Sequence, residues 1–110
     1  MRFLRTILAG QRSPTIARDW LNGLLVSTAN SLDYGPETAL LDQSGVYPVE
    51  RYETREEALT GHQRWVEFAR TAAKGTQIRK IGPEEARDWD EDITLEPWES
   101  ENPYSMEVIE

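Results

Sequence analysis

Short runs in which apolar and polar residues alternate make up much of the first half of the chain. Two of them, TIARDWL (15–21) and LLVSTANSL (24–32), flank the pair Asn22-Gly23. Both residues of such a pair tolerate the positive φ angles of a type I′ turn, so the pattern predicts a β-hairpin. One face of the second strand would carry Leu24, Val26, Thr28 and Asn30.

Two further extended runs follow the hairpin. A loop at 33–36, which contains Gly35 and Pro36, leads into a short strand at 37–42. A turn at 43–45 leads into an extended run at 46–52, in which Pro48 indicates an edge position or a bulge. Because the links are short and parallel pairs need long crossovers, we expect an antiparallel meander.

A helix is predicted from about Arg55 to Lys74. Thr54 and Glu57 have the spacing of a capping box, in which the Thr54 hydroxyl bonds the Glu57 amide and the Glu57 carboxylate bonds the Thr54 amide. Gly75 is suited to stop the helix. Positions three and four apart, with one step of one between Trp65 and Val66, form one stripe that would lie on the sheet, namely Ala58, His62, Trp65, Val66, Ala69 and Ala73.

Charge divides the chain unevenly. Residues 81–110 hold eleven Asp or Glu and one Arg, a net of −10, whereas residues 1–80 carry a net of +2. The run at 76–81 is compatible with one more short strand, but the acids and prolines that follow argue against a packed element. We therefore predict a single domain over 1–80 and an acidic tail over 81–110. The tail either docks on its own domain or binds a partner through Trp89, Trp98 and Tyr104.

Together these patterns predict an α+β fold: a small antiparallel β-meander of about four strands, one amphipathic helix packed on a face, and an acidic C-terminal tail. The chain has no cysteine and one histidine, which excludes thiolate metal sites and a multi-histidine zinc site within it. It has no glycine-rich phosphate loop or dinucleotide motif, and no apolar run near the roughly 18 residues of a membrane span. We predict no cofactor, no metal and no catalytic residue.

The candidate ligand-binding residues are Arg51, Tyr52, Arg55, His62 and Asp33. Arg51, Tyr52 and Arg55 precede or begin the helix, where arginines and helix amides suit an anion such as a nucleotide phosphate. Alternatively, Arg51 pairs with Glu50 or Glu53. His62 has the chemistry of a general base or a phosphate donor, or it closes the core by donating to a strand carbonyl.

Asp33 and Glu37 offer a further pair of acidic side chains around the Gly-Pro loop. Two carboxylates suit a divalent cation or a division of acid and base roles, and the alternative is a turn-forming Asp with a surface Glu. Ser27 and Thr28 lie on a strand with no base near them in sequence, so a nucleophile has no support there.

A spaced pattern over residues 15–70 resembles a family of small uncharacterised proteins of tailed bacteriophages. It consists of Val26-Ser27-Thr28, Leu32-Asp33, Glu37-Thr38, Glu50-Arg51-Tyr52 with Thr54, Glu57-Ala58 and Gly61-His62. The chain departs from the family at Tyr34, where a histidine is frequent, and at Ala39-Leu40-Leu41, where relatives are more aromatic. The resemblance implies a phage origin and no assigned activity.

The function expected from these observations is that of a non-enzymatic phage accessory protein, which acts by binding in the host cytoplasm. The partner is a host or phage protein with a basic surface, or a signalling nucleotide that is sequestered in counter-defence. The alternative is a minor virion or assembly component whose tail clasps a neighbouring subunit, and a small metal-dependent hydrolase using Asp33, Glu37 and His62 ranks last. Direct duplex binding and a membrane role are not expected, and self-association is left open.

Overall fold

The computed structural model describes residues 15–32, 34–82 and 90–99. Six strands and one helix occur in these ranges. They are β1 (Thr15–Leu21), β2 (Leu24–Ser31), β3 (Gly35–Leu41), β4 (Val46–Arg51), α1 (Arg55–Thr71), β5 (Gln77–Lys80) and β6 (Glu91–Thr94).

The predicted four-stranded meander is confirmed. Strands β1 to β4 pair antiparallel in chain order, and β1 meets β2 through Asn22 and Gly23, whose φ angles are 51° and 84°. These positive values are the ones that a type I′ turn requires. At Pro48 the register with β3 shifts by one residue, so the proline lies at a bulge in the last strand of this sheet.

Helix α1 packs on one face of the meander, as its apolar stripe predicts. The Thr54 hydroxyl accepts a hydrogen bond from the Glu57 amide at 3.0 Å, but the Glu57 carboxylate accepts from the Glu53 amide rather than from that of Thr54. The helix also ends at Thr71, three residues earlier than predicted, because Ala72 is already extended. Gly75 does adopt a positive φ of 93°, where the chain turns toward β5.

The hydrophobic core lies between α1 and the inner face of the sheet. Cross-strand register places Val26 beside Leu40, and the α1 stripe covers both. The core cluster consists of Leu24, Val26, Leu40, Val49, Val66, Ala69, Ile78 and Leu95. Leu95 belongs to the region that the sequence assigned to the tail, and its side chain has no exposed surface.

Residues 91–98 of the predicted tail are therefore built into the domain, and the boundary at residue 80 falls between two paired strands. β6 pairs antiparallel with β5, where Ile93 lies opposite Ile78. The acids of β6 do not prevent packing because they face bases across the hairpin: Arg79 contacts Asp92 at 2.9 Å and Lys80 contacts Glu91 at 3.7 Å. Residues 83–89 and 100–110 of the tail lie outside the described residues.

After β6, residues 95–98 cross the end of the meander that holds the β1–β2 and β3–β4 turns. The buried carboxylate of Asp42 accepts hydrogen bonds from the amides of Ser44 at 2.7 Å, Gly45 at 3.1 Å and Glu96 at 2.8 Å. The Trp98 amide donates to the Gly23 carbonyl at 2.9 Å. The sequence allowed the tail either to dock on its own domain or to bind a partner. Residues 95–98 dock on their own domain.

Candidate functional site

A cleft of about 630 Å³ opens where β3 begins and β4 ends. Its walls come from residues 34–36, from residues 49–53, and from Ile81, Gly82 and Asp90. Two of the predicted ligand residues, Arg51 and Tyr52, line it. A second, smaller cleft of about 420 Å³ shares Glu50, Arg51 and Tyr52 and extends along the first turns of α1.

Arg51 is already engaged within the protein. Its Nε atom donates to Glu37 Oε2 at 2.8 Å, and its guanidinium lies 4.2 Å from the centroid of the Tyr34 ring. The predicted partners, Glu50 and Glu53, are wrong, because Glu37 is the cross-strand neighbour of Arg51 in the β3–β4 register. Both side chains of this pair are largely buried, so much of the Arg51 charge is neutralised within the cleft wall.

Carboxylates make up the remaining charge of the larger cleft. Among the described residues, Glu50, Glu53 and Asp90 line it, against the single cation Arg51. The Asp90 carboxylate is fixed by a hydrogen bond of 2.6 Å from the Gly82 amide. A cleft of this composition attracts a positively charged group more than a phosphate.

His62 does not line the cleft. It lies on the face of α1 that packs against the sheet, and only 3% of its surface is exposed. Its Nε2 atom is 2.7 Å from Asp19 Oδ2, and its Nδ1 atom is 2.7 Å from Thr28 Oγ1. The expected strand carbonyl is therefore replaced by two side chains. At this depth His62 is not accessible to a ligand in the cleft.

The contacts of His62 continue across the whole width of the meander. Thr28 Oγ1 lies 2.5 Å from Thr38 Oγ1, the Tyr52 hydroxyl lies 2.9 Å from Thr38 Oγ1, and the same hydroxyl lies 3.0 Å from Glu50 Oε1. We call this series the buried chain. It comprises Asp19, His62, Thr28, Thr38, Tyr52 and Glu50. Only its two end carboxylates are substantially exposed, and Glu50 also lines both clefts.

The surroundings of the Glu50 end shift two pKa values. Burial raises the pKa of the Glu50 carboxyl, but hydrogen bonds from Trp65, Arg64 and Tyr52 outweigh burial and leave its pKa below the usual value. Burial and the neighbouring Glu50 carboxylate raise the pKa of Tyr52 to about 12. Tyr52 is thus a neutral donor and Glu50 an ionised acceptor near neutral pH.

Asp19, His62 and Thr28 have the order of a carboxylate–histidine–hydroxyl triad, in which a histidine activates a nucleophile. Thr28 has no exposed surface, however, and Thr38 also contacts its hydroxyl oxygen. A substrate therefore cannot reach Thr28 in this conformation. The three groups lie in this order because His62 of α1 packs between Asp19 of β1 and Thr28 of β2.

The other predicted site residues that the structure describes, Arg55 and Trp98, do not line the cleft. Arg55 is exposed at the start of α1 and lines neither cleft, while Trp98 is half-buried against the β1–β2 turn. Asp33, Trp89 and Tyr104 lie outside the described residues. Of the residues named for a hydrolase, Glu37 is paired with Arg51 and His62 is buried. Within 15–32, 34–82 and 90–99, no three acidic or histidine side chains form a group suited to a metal ion.

The sequence did not identify Asp19, Thr38 or Glu50 as members of a polar network. One signal was present: Thr28 follows Leu24 and Val26 on a buried face, and a polar residue at such a position requires a buried partner. That partner comes from α1, 34 residues further along the chain. The part of the chain described by the structure contains no helix long and apolar enough to cross a membrane.

Comparison of the chain with protein-family models, with curated proteins and with solved structures finds no match.

Proposed function

We propose that this chain is a non-enzymatic accessory protein of a tailed bacteriophage, which acts in the host cytoplasm by binding a basic segment of another protein. The phage context follows from the resemblance carried by the spaced pattern over residues 15–70. The binding site we assign is the larger cleft. The observation that carries this proposal is its lining: the described residues place three carboxylates beside one arginine, which is paired with Glu37, and of the three only Glu50 has an arginine partner of its own among those residues.

The chemistry of the cleft suits a lysine or arginine side chain. Glu53 is exposed at its rim, where its carboxylate could accept hydrogen bonds from a cation, whereas Glu50 in the wall is already paired with Arg64. The Tyr34 and Tyr52 side chains supply apolar surface for the stem of such a side chain. The acidic net charge of the whole chain would also speed the approach of a basic partner.

Sequestration of a nucleotide is the second candidate, favoured by one observation. Arg51 sits over the ring of Tyr34 at the cleft wall, and an arginine beside an aromatic ring is a common element of phosphate and base recognition. Glu50, Glu53 and Asp90 oppose it, because they would repel phosphate at close range. Thermal-shift measurements with cyclic and ADP-ribose-type nucleotides test this candidate: stabilisation that is lost in Arg51→Ala would support it over the basic segment.

Capture from host lysate with charge-reversed baits tests the leading proposal. Glu53→Lys reverses a charge at the cleft rim, and Glu67→Lys makes the same change on the exposed surface of α1. We expect Glu53→Lys to reduce capture of the specific partner about tenfold or more, since like charges opposed across an interface cost several kcal/mol. Glu67→Lys should retain it.

Equal capture by wild type and both variants would contradict the cleft as the binding site. A captured partner whose contact region, mapped by cross-linking, carries no Lys or Arg would contradict the basic segment. Detection of the chain in purified phage particles by mass spectrometry would favour the alternative, a minor virion component, over action in the cytoplasm.

A further inference from the structure

The buried chain has fewer hydrogens than contacts when its histidine is neutral. Five contacts join its six members in sequence, from Asp19 to Glu50, and each needs one hydrogen. The hydroxyls of Thr28, Thr38 and Tyr52 supply three, a neutral imidazole supplies one, and ionised carboxylates supply none. One contact is then left without a hydrogen.

A proton on His62 removes the shortage. The imidazolium donates from Nε2 to Asp19 and from Nδ1 to Thr28, and every hydroxyl then donates onward until Tyr52 donates to Glu50. With a neutral imidazole that keeps its Nε2 hydrogen, Thr28 must donate to Nδ1. The missing hydrogen then falls on the contact between Tyr52 and Glu50, because Glu50 still accepts from Trp65 and Arg64, whereas two facing hydroxyl oxygens without a hydrogen would repel each other. Thr38 therefore donates to Thr28, and Tyr52 donates to Thr38 instead of Glu50.

We propose that the buried chain couples the proton on His62 to the hydrogen bonding of Glu50 in the cleft wall. Protonated His62 lets Tyr52 donate to Glu50 and hold its carboxylate in place, whereas neutral His62 turns the Tyr52 hydroxyl toward Thr38. The cleft would thus sense a proton bound on the far side of the sheet. Its role as a regulator of binding rests on the function proposed above, while the coupling itself is a property of the free protein.

The groups that face the buried chain support this assignment. Strand β1 contributes Asp19, and β2 and β3 contribute only the hydroxyls of Thr28 and Thr38. From the end of β4 come Glu50 and Tyr52, and from α1 the indole of Trp65 and the guanidinium of Arg64 both donate to Glu50. These donors keep the pKa of Glu50 below its usual value, so Glu50 does not supply the missing hydrogen near neutral pH.

The test uses NMR probes at the two ends of the buried chain. His62 is the only histidine, so its side-chain nitrogen signals need no assignment among several. The indole N–H of Trp65 donates to Glu50 at 2.8 Å and reports on the far end, and its signal is identified among four tryptophans with Trp65→Phe. In the wild-type protein we expect the indole signal to change together with the imidazole signals as the pH is varied.

Thr38→Val interrupts the buried chain at its centre with little change of side-chain shape. In this variant the Trp65 indole signal should no longer follow the imidazole signals of His62. Tyr52→Phe interrupts the buried chain one contact further on and should give the same result. The test therefore remains decisive if Thr38→Val does not fold. Thr71→Val, at the exposed end of α1, is the matched control and should behave as wild type.

An indole signal that follows His62 equally in wild type, Thr38→Val and Tyr52→Phe would overturn the coupling, because the two ends would then communicate through space. An indole signal that does not follow His62 in the wild-type protein would overturn it as well. Neither measurement requires a partner. Failure of charge-dependent capture would contradict the proposed function and leave the result on coupling intact.

Discussion

At the residue scale, Gly61 determines how closely α1 approaches the end of β4. It is buried in the second turn of the helix, against the Tyr52 ring. A Cβ atom at this position would lie closer to the Cε1, Cζ and hydroxyl atoms of Tyr52 than van der Waals contact allows. The close approach in turn places the Tyr52 hydroxyl within reach of Thr38 and Glu50.

Gly61→Ala should therefore destabilise the protein, although the same substitution in an exposed helix stabilises by about 1 kcal/mol. The overpacked methyl group should lower the free energy of unfolding by about 1–3 kcal/mol, as measured by urea denaturation. Thr60→Ala, at the adjacent exposed position, is the control and should have little effect. A stabilised Gly61→Ala variant would show that the Tyr52 ring can move aside at little cost.

The raised pKa of Tyr52 also predicts how the free energy of unfolding depends on pH in the alkaline range. Burial raises its pKa to about 12 in the folded state, from an unfolded value near 10. The folded protein thus holds the phenolic proton more tightly, and this contribution is present below pH 10 and lost as the pH rises toward 12. The free energy of unfolding should fall more steeply over this interval in the wild-type protein than in Tyr52→Phe. Parallel curves would contradict the assignment to Tyr52.

At the scale of elements, β6 and the residues after it complete the domain. The Leu95 side chain fills the core beside Ile78, and backbone hydrogen bonds join Leu95 to Thr76 at 2.8 Å and Gly75 at 3.0 Å. A strand this short has little stability by itself. It is held by the burial of one leucine and by the carboxylate of Asp42 on the Glu96 amide.

Leu95→Ala should lower the free energy of unfolding by about 2–5 kcal/mol, since it leaves a cavity in the core. Leu59→Ala is the matched control, because Leu59 lies on α1 with 44% of its surface exposed, and it should cost much less. Chemical denaturation of both variants measures the difference. Equal losses would indicate that residues 91–98 contribute little to the stability of the fold.

Asn22 joins two elements that lie far apart in sequence. It adopts a positive φ in the β1–β2 turn, and its side-chain amide donates to the Ala69 and Arg70 carbonyls at the end of α1. Those carbonyls have no partner within the helix. One residue therefore closes the hairpin and caps the C-terminus of the helix.

Two substitutions separate these roles. Asn22→Gly keeps a residue that tolerates positive φ but removes the cap, and should cost about 1 kcal/mol of unfolding free energy. Asn22→Ala also strains the turn, and should cost about 1–2 kcal/mol more. Urea denaturation of the two variants measures both effects, and an Asn22→Gly variant as stable as wild type would exclude a contribution from the cap.

At the scale of the whole molecule, the charged residues are distributed differently in the fold than along the sequence. Along the chain the acids are concentrated after residue 80, but in the fold those of β6 are paired with Arg79 and Lys80. The carboxylates of the larger cleft come from both regions, with Glu50 and Glu53 from the domain and Asp90 from the predicted tail. The candidate interface for a basic partner is thus assembled by folding.

Capture of a basic partner by this cleft should depend strongly on salt. At about 1 M ionic strength the Debye length is about 3 Å, so charge attraction is largely screened. We expect the partner retained at low salt to be released by a salt wash, and the residual capture by Glu53→Lys to respond less. Retention that is independent of salt would indicate an apolar interface elsewhere.

The sequence by itself determined the local elements of this protein. The Asn22-Gly23 turn, the bulge at Pro48 and the Thr54 cap follow from the φ angles and hydrogen bonds of neighbouring residues, and the stripe on α1 follows from helical periodicity. These features depend on residues within a few positions of one another. For that reason the α+β meander with its packed helix could be predicted.

Only the tertiary structure decided which distant side chains meet. Cross-strand register paired Arg51 with Glu37, and the docking of α1 placed His62 between Asp19 and Thr28. Leu95 is buried in the core, and the acidic residues just before it form strand β6. Composition alone had argued against a packed element there. Contacts across 14 to 43 residues leave no local pattern, because the chain between them does not constrain which partners come together.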